Sequence, residues 1–540
     1  MTATPPVDVL PPCPPALTSR ASRVNRLLNR LHPSPETILL ILSLLIGGVT
    51  GVGVVTFHYL IHFIHTLMLE DFMGAIGSGN PWTLACIPTL GGVIIGLMRW
   101  RFRDFGPNMS SLIAATQGLQ ELSPLKPITK MMAASVSLGT GASLGPEAPS
   151  VEIGANFGML LAQVLQVSPE RQRLLLGAGA AAGLAAGFNA PIAGVFFALE
   201  VVLGSTFATS SVSAVLLAAV VSALIAQICL GAQPAFALPV YEVRSSLELP
   251  LYMGLGLLAS GVSLAYTEAI QVAERCFQGK VPGFRWLVGL PRSVHPILGG
   301  ACVGIVALQL PQVLGVGYET VEAMLQDVEF SLVLLLILLA AKLVMTALSL
   351  GSGLVGGIFA PAMFLGASLG SAYGIFLATI PAMNGHVAGP PAYAMVGMAA
   401  VLAGSARAPL TSILLLFELT RDYRIVLPLM AAVGLSAWLV ECMNRRSTHS
   451  LNLHQMGVDV TINTPPQSSE PLQSWEASLG EEADADKFAS RLVSGLVSCQ
   501  VSSENSGAEA ADSNEPPVLV LANSHLSEEV KSGSEERPAA

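Results

Sequence analysis

A single carboxylate stands in an unusual setting in the stretch SLGTGASLGPEAPSVEIG, residues 137–154. No charged residue occurs between Lys130 and Glu147, and prolines stand on both sides of the acid, at positions 146 and 149. Glycine and proline interrupt helices, so we expect Glu147 at a break where backbone N–H groups are free. Such N–H groups carry positive partial charge and bind anions. A carboxylate placed there can compete with an anion from solution.

The chain around this acid is far more apolar than a soluble domain. Of its 540 residues, 52% are hydrophobic and 11% are charged, and its mean hydropathy is +0.63, whereas soluble domains carry about 25% charged residues. Apolar runs of about the length that crosses a bilayer as a helix recur, most clearly at 37–57, 83–98, 209–231, 250–266, 330–349 and 425–440. The alternating pattern of a membrane β-barrel is absent from the sequence. The composition therefore predicts an all-α polytopic protein in a lipid bilayer.

Charge divides the chain into segments. Residues 1–33 are first Pro-rich and then carry spaced arginines, which predicts a basic amphipathic helix on a membrane surface; a plastid transit peptide is the alternative. From residue 459 onward there are fifteen acidic and four basic residues, so the net charge of −10 belongs to the tail. We expect this tail, 456–540, to be largely disordered. The membrane body between the two segments is nearly neutral.

An internal repeat organises the membrane body. Three pairs of segments match in the same order along the chain: 87–97 with 295–305 (IPTLGGVIIGL, HPILGGACVGI), 149–158 with 361–370 (PSVEIGANFG, PAMFLGASLG), and 190–200 with 408–418 (APIAGVFFALE, APLTSILLLFE). The offset drifts slowly, from 208 through 212 to 218. The sequence therefore predicts two related membrane halves, 34–240 and 241–455.

Duplicated halves with short apolar segments that Gly and Pro interrupt are typical of secondary transporters and channels. Broken helices expose N–H groups at their N-termini, and several such termini meeting near the midplane would bind a dehydrated anion without a Lys or Arg. Acids within the apolar spans are few, chiefly Glu152, Glu200 and Glu418. Because a cation filter uses rings of acids, the pattern favours anion transport.

The simpler alternative for Glu147 is a cap on the helix that the sequence predicts to begin near Pro149. An acid at a helix N-terminus stabilises it by about 0.3–1 kcal/mol. Burying that acid at membrane depth costs more than this unless something compensates, and ionisable groups at such depth are functional by default. We therefore favour the role as an anion competitor.

Three motifs resemble the CLC family of chloride channels and proton-coupled chloride transporters. They are LGPEAPSVEIGAN around Glu147, FNAPIAG at 188–194 and GGIFAP at 356–361, and the likeness covers about residues 36–453. The short variant loops are closest in pattern to the cyanobacterial and plant-organelle branch. The resemblance implies a homodimer of subunits with inverted repeats, each subunit carrying chloride or another small monovalent anion, without a cofactor and without nucleic acid.

The resemblance assigns roles to individual residues. LGPEAP stands where the family has a Gly, a basic residue, Glu, Gly and Pro, so Glu147 matches the gating glutamate, whose carboxylate occupies an anion site and leaves it or is protonated to open the path. Lys130 matches a family lysine that adds positive potential nearby. The intact GGIFAP implies an anion site along Gly357, Ile358, Phe359 and Ala360, with the N–H groups of Ile358 and Phe359 as ligands.

Two side-chain ligands of the family are replaced in this sequence. The family's first motif donates a serine hydroxyl, and ungapped register from Glu147 places FGPNM there, with Gly106 and Pro107 at the anion site; the similar GSGNP at 77–81 precedes the IPTLGG helix and is interpreted as a loop. The family's central tyrosine, counted from LFELTRDY, falls on His449. A neutral imidazole donates through one ring nitrogen; the alternative is a juxtamembrane histidine with no role.

The inner proton relay of the family also differs. Proton-coupled members carry a glutamate where this chain has Val201, next to Glu200, and an apolar residue there is the pattern of family channels. Glu200 and its repeat mate Glu418 suggest caps or pairs at helix ends. We therefore favour a voltage- and pH-gated chloride channel; the alternative is a chloride/proton antiporter with a non-standard inner relay.

Other functions find less support in the sequence. An intramembrane enzyme would need Glu147 beside a Ser-His, HExxH or paired-carboxylate arrangement, and the sequence contains none, so we predict that the protein is not an enzyme. His58, His62 and His65 have helical spacing that permits a metal site, but a polar stripe at a helix end is the favoured interpretation. We expect an integral multi-pass protein, of the plasma membrane in a bacterium or of an organelle membrane.

Overall fold

The computed structural model describes residues 35–71, 82–102, 105, 111, 126–204, 209–231, 248–326, 328, 330–381 and 387–444. Within these residues the regular structure is helical, apart from one isolated bridge between Gly145 and Gly357. The predictions for the N-terminal segment, the GSGNP loop and the acidic tail lie outside the described residues.

The first half contains seven described α-helices. In chain order they are α1 Pro35–His65, α2 Trp82–Arg101, α3 Lys126–Gly139, α4 Glu147–Leu165, α5 Pro169–Phe188, α6 Pro191–Phe197 and α7 Thr209–Leu230. A π-helical segment, Ala198–Leu203, continues α6. The first helix begins at Pro35, as the sequence predicts, because proline suits the first helical position. Helix α4 begins at Glu147, two residues before the predicted start, so the acid itself lies in the first turn.

The second half contains eight described α-helices. They are α8 Leu249–Phe277, α9 His295–Ala307, α10 Tyr318–Leu325, α11 Leu332–Ser352, α12 Phe359–Ala378, α13 Pro390–Ala406, α14 Pro409–Thr420 and α15 Val426–Asn444. Short α6 and α14 each begin at the proline of an Ala-Pro pair, which confirms that the Pro-containing breaks separate helices.

Six of the described helices are long and apolar enough to cross a membrane, at 37–68, 212–230, 249–277, 332–352, 359–378 and 423–443. Five of them coincide with predicted apolar runs. The predicted run 83–98 forms α2, which is not among the six; Arg99 and Arg101 occupy its last turn. Helix α12 is the sixth, and it was not among the apolar runs predicted from the sequence.

The repeat is visible in reciprocal contacts between equivalent helices. Helices α2 and α9 pack together so that a Cβ at Gly92 would overlap the carbonyl oxygen of Pro296, and a Cβ at Gly300 would overlap that of Pro88. The two glycines, and the two prolines, are separated by the same offset of 208 residues. Small residues thus let the two halves approach backbone to backbone.

Each half also contains one close crossing between two of its own helices. In the first half Gly154 of α4 lies against Gly179 of α5, and in the second half Gly366 of α12 lies against Gly397 of α13. At each of the four positions a Cβ would overlap the partner's carbonyl oxygen. These crossings pack α4 against α5 and α12 against α13, and the N-termini of α4 and α12 contribute to the site described next.

Candidate anion site

The Glu147 side chain is buried, with 2% of its surface exposed, at the N-terminus of α4. Pro146 precedes the helix, and its carbonyl oxygen accepts from the amide and hydroxyl of Ser150. The repeat-related helix α12 begins nearby, and the backbone N–H of Ala360 in its first turn interacts electrostatically with the Glu147 carboxyl group. The carboxyl therefore lies at the N-termini of two helices at once, where the helix dipoles favour negative charge.

The two oxygens of the carboxyl group have different surroundings. Oε1 accepts a hydrogen bond of 3.0 Å from the hydroxyl of Tyr318. Oε2 accepts no hydrogen bond from any described residue. It occupies a space that two glycines leave open, because a Cβ at Gly145 would overlap it and a Cβ at Gly357 would stand 2.9 Å from it.

The GGIFAP segment presents free amides beside this space. Ile358 is the N-cap of α12, and neither its amide nor that of Phe359 donates a hydrogen bond to another described residue. The carbonyl of Ile358 accepts a bond of 3.1 Å from the hydroxyl of Tyr266. Since the C=O and N–H of a trans peptide point in opposite directions, this bond turns the Phe359 N–H away from Tyr266. Free amides of a helix N-terminus are ligands for an anion.

Lys130 forms an ion pair with Glu152. Its Nζ lies 2.7 Å from Oε2 of Glu152, one and a half turns along α4 from Glu147, and both side chains are largely shielded from water. The ion pair places a negative charge beside Lys130, which the family resemblance predicts to add positive potential near the anion site. The sequence already contained both residues, but only the fold brings α3 and α4 side by side.

Glu200 and Glu418 each cap a short helix that belongs to the other half of the chain. Glu418 accepts from the amides of Ile192 and Ala193 at 2.9 and 2.7 Å. Glu200 accepts from the amide of Leu410 at 3.2 Å, and from the amide and hydroxyl of Thr411 at 3.0 and 2.7 Å. Each acid thus holds the first turn of the other half's short helix, as expected from their equivalent positions.

Val201, next to Glu200, is partly buried and packs against the main hydrophobic core. Gly106, Pro107 and His449 lie outside the described residues. In α1, Nδ1 of His58 lies 3.0 Å from its own helix's Val54 carbonyl oxygen, and no group of His, Cys, Asp or Glu among the described residues has the arrangement of a metal site.

Three polar residues near Glu147 were not predicted from the sequence. Tyr318 and Tyr266 donate the hydrogen bonds described above, and Lys342 of α11 is fully buried and interacts electrostatically with Glu147. A signal was present for one of them, since Lys342 is the single charged residue of the run 330–349, and a charge inside a membrane span points to function. Tyr318 follows the glycine break GVG but has no such signal.

Two broken, repeat-related helices direct their N-termini at one buried carboxyl within a duplicated helical membrane body. The sequence profile described as "Voltage gated chloride channel" matches residues 91–441. The chain belongs to this CLC family, which confirms the resemblance inferred from its motifs.

Relatives agree with this assignment. The chain is 40% identical over 441 residues to chloride channel protein CLC-e of Arabidopsis thaliana (77% of this chain, 61% of the relative) and 41% identical to CLC-f of the same plant (76% and 55%). It therefore spans about three fifths of the length of these two plant relatives. A putative chloride channel protein ClcB-like of Ralstonia nicotianae is 32% identical over 80% of this chain and 100% of the relative.

Solved structures share the fold. A slow cyanobacterial Cl⁻/H⁺ antiporter matches with a TM-score of 0.67 and 22% identity, over 78% of this chain and 98% of that chain. A eukaryotic CLC transporter matches with a TM-score of 0.65 and 20% identity, over 77% and 73%. The architecture is therefore the CLC fold, an all-α membrane body of two inverted-topology repeats, and the protein is an integral multi-pass membrane protein.

Proposed function

We propose that this protein carries chloride or another small monovalent anion along a pathway that the Glu147 carboxyl gates. One observation carries this proposal: the carboxyl is buried at the N-termini of α4 and α12, with Oε2 lacking a hydrogen bond from the described residues. A site that holds a carboxylate between helix N-termini holds an anion equally well once the carboxylate leaves. Protonation or movement of Glu147 then makes transport sensitive to pH and to voltage.

Passive, gated conduction is the mechanism that we favour. The family's exchangers carry a second carboxyl group on the inner side, at the position of Val201, whose side chain packs against the apolar core. The neighbouring carboxylate of Glu200 is engaged in capping α14. Neither residue is therefore suited to relay protons.

Chloride/proton exchange is the second candidate, because similar proteins are described as exchangers. The H⁺/Cl⁻ exchange transporter ClcA of Salmonella paratyphi B is 31% identical over 430 residues. The cyanobacterial structure is an antiporter, and a CLC-type fluoride/proton antiporter has the same fold, with a TM-score of 0.62 and 22% identity. An exchanger would need a relay that does not use a carboxyl group at position 201.

A flux experiment separates the two candidates. The full chain is reconstituted into liposomes, and the reversal potential is measured with symmetric chloride and a pH gradient. A channel gives no shift in reversal potential, whereas an exchanger gives a shift toward the proton equilibrium potential. Absence of any protein-dependent chloride flux at all pH values would contradict both mechanisms.

The remaining ligands and the assembly are also proposals. We place Gly106, Pro107 and His449 at the central anion position, in line with the register of the family motifs. Replacement of His449 by alanine is expected to weaken chloride binding, measured by calorimetry, and an unchanged affinity would show that the register is wrong. A homodimer is expected from the family, and light scattering of the detergent-solubilised protein tests it.

A further inference from the structure

Lys342 is a fully buried lysine to which the motifs assign no role. It lies in the middle of α11, and its exposed fraction is 0%. Nζ donates to the carbonyl oxygens of Val313 at 3.1 Å and Gly315 at 2.7 Å, and it lies 5.0 Å from the centre of the Phe364 ring. Two carbonyls and an aromatic face thus surround the three donors of the ammonium group. Since a buried charge is costly without compensation, this arrangement calls for a functional explanation.

The carbonyls that Lys342 holds belong to the segment that carries Tyr318. Gly315 is fixed on both sides, because its carbonyl accepts from Lys342 and its amide donates to the carbonyl of Gly141 at 3.0 Å, in the loop that leads to Glu147. Gly317 follows with a φ of +86°, which favours glycine, and ends the segment as the N-cap of α10. Tyr318 is the first residue of α10, so the position of its hydroxyl depends on the segment that Lys342 anchors.

Lys342 also acts on the gate through its charge. Among the described residues, the side chains that interact with the Glu147 carboxyl from neighbouring elements are Lys342 of α11, Tyr318 of α10 and Tyr266 of α8. Lys130 and Glu152, the charged residues nearest along α3 and α4, pair with each other. A positive charge and a hydroxyl donor both stabilise an ionised carboxyl group relative to a protonated one.

We propose that Lys342 and Tyr318 form a latch that holds the Glu147 carboxyl in its closed, ionised position. Lys342 anchors the segment from Val313 to Gly317, and that segment holds the Tyr318 hydroxyl against Oε1. Both are positioning residues, and the inference rests on the proposed gating role of Glu147. Loosening the latch lets the carboxyl protonate and leave at a higher pH.

The test is the pH dependence of chloride flux in liposomes that contain the full-length protein. Tyr318→Phe removes one hydrogen bond to a charged group, so the pH of half-maximal flux is expected to rise by about one to two units. Lys342→Met is expected to shift it in the same direction. The controls are Tyr373→Phe, which removes a hydroxyl that donates to the carbonyl of Leu251, and Lys280→Met, which removes an exposed charge; neither is expected to shift the pH of half-maximal flux.

The same substitutions made in the Glu147→Gln variant distinguish this inference from the proposed gating role of Glu147. In Glu147→Gln, flux is expected to be independent of pH, and adding Tyr318→Phe or Lys342→Met is expected to change nothing further. If Glu147→Gln retains the wild-type pH dependence, the proposed gate is wrong. If Glu147→Gln removes that dependence but Tyr318→Phe and Lys342→Met keep the wild-type pH of half-maximal flux, the gate stands and the latch is overturned.

Folding is checked by gel filtration of each variant. If Lys342→Met does not give a monodisperse protein, Lys342→Gln replaces it, because glutamine retains an N–H donor for the carbonyl groups but has no charge. Failure of both variants to fold would show that Lys342 serves the fold as a whole, which contradicts a role at the gate.

Discussion

Gly145 and Gly357 exchange two backbone hydrogen bonds: the amide of Gly145 donates to the carbonyl of Gly357 at 3.0 Å, and the amide of Gly357 donates to the carbonyl of Gly145 at 2.6 Å. The two glycines are equivalent in the repeat, separated by the same offset of 212 as the motifs around them. Each stands two residues before the helix that begins at Glu147 or Phe359. The exchange therefore fixes the two helix N-termini relative to each other and leaves the space that Oε2 of Glu147 occupies.

Replacement of Gly357 by alanine is expected to crowd this space. The added Cβ would lie 2.9 Å from both Oε2 of Glu147 and the amide nitrogen of Ala148, and overpacking of this kind costs about 1–3 kcal/mol. An anion in place of the carboxyl is crowded in the same way, so chloride affinity, measured by calorimetry, is expected to fall by about tenfold. Gly434→Ala, where a Cβ meets no atom within 4 Å, is the control, and an unchanged affinity in Gly357→Ala would contradict the placement of the site.

Neutralising Glu147 is expected to remove pH gating and to leave anion flux. Glu147→Gln resembles the protonated side chain, and Glu147→Ala empties the space beside Oε2, so in both variants chloride flux should be as high at neutral pH as at acid pH. Flux through liposomes over a pH series measures this. Glu268→Gln, an exposed acid of α8, serves as the control with wild-type behaviour. Loss of all flux in folded protein would instead assign the carboxyl a structural role.

The helix caps formed by Glu200 on α14 and by Glu418 on α6 are expected to contribute to the stability of the protein and not to gating. Glu200→Gln and Glu418→Gln each weaken the bonds to two backbone amides, and loss of a helix cap costs about 0.5–2 kcal/mol. Both variants should therefore unfold at a lower temperature in detergent, with the pH profile of flux unchanged. A change in the reversal potential under a pH gradient in Glu200→Gln alone would show that this residue takes part in proton transfer.

Separating Lys130 from its partner is expected to strengthen anion binding. Glu152→Gln removes the negative charge 2.7 Å from Nζ, which restores positive potential along α4. Chloride affinity, measured by calorimetry, should rise by no more than about tenfold, which corresponds to about 1.4 kcal/mol. Lys130→Met in the Glu152→Gln background should abolish the gain; persistence of the gain there would rule out Lys130 as its source.

Much of the architecture follows from local sequence. Prolines at 35, 191 and 409 begin helices because proline lacks the N–H that a first turn leaves unused. The repeat could be read from the spacing of Gly and Pro, and it predicted the equivalence of Glu200 and Glu418. The segment LGPEAP placed Glu147 at a helix break, since short-range backbone geometry depends on neighbours in the chain.

The contacts that complete the site could not be predicted in this way. Tyr318 reaches Glu147 across 171 positions of the chain, and Lys130 meets Glu152 through the packing of two helices. Such contacts depend on helix crossings, which close approaches such as Gly154 to Gly179 set.

By itself, the sequence determined the membrane class, the duplication and the lone acid at a helix break. Only the tertiary structure decided what that acid meets: a tyrosine hydroxyl on Oε1, a space between two glycines at Oε2, and a buried lysine that acts on it from α11. The physical reason is the separation along the chain over which each effect acts. Helix breaks arise from the local backbone preferences of Gly and Pro, whereas the environment of a buried charge is the sum of groups that packing brings together from distant parts of the chain.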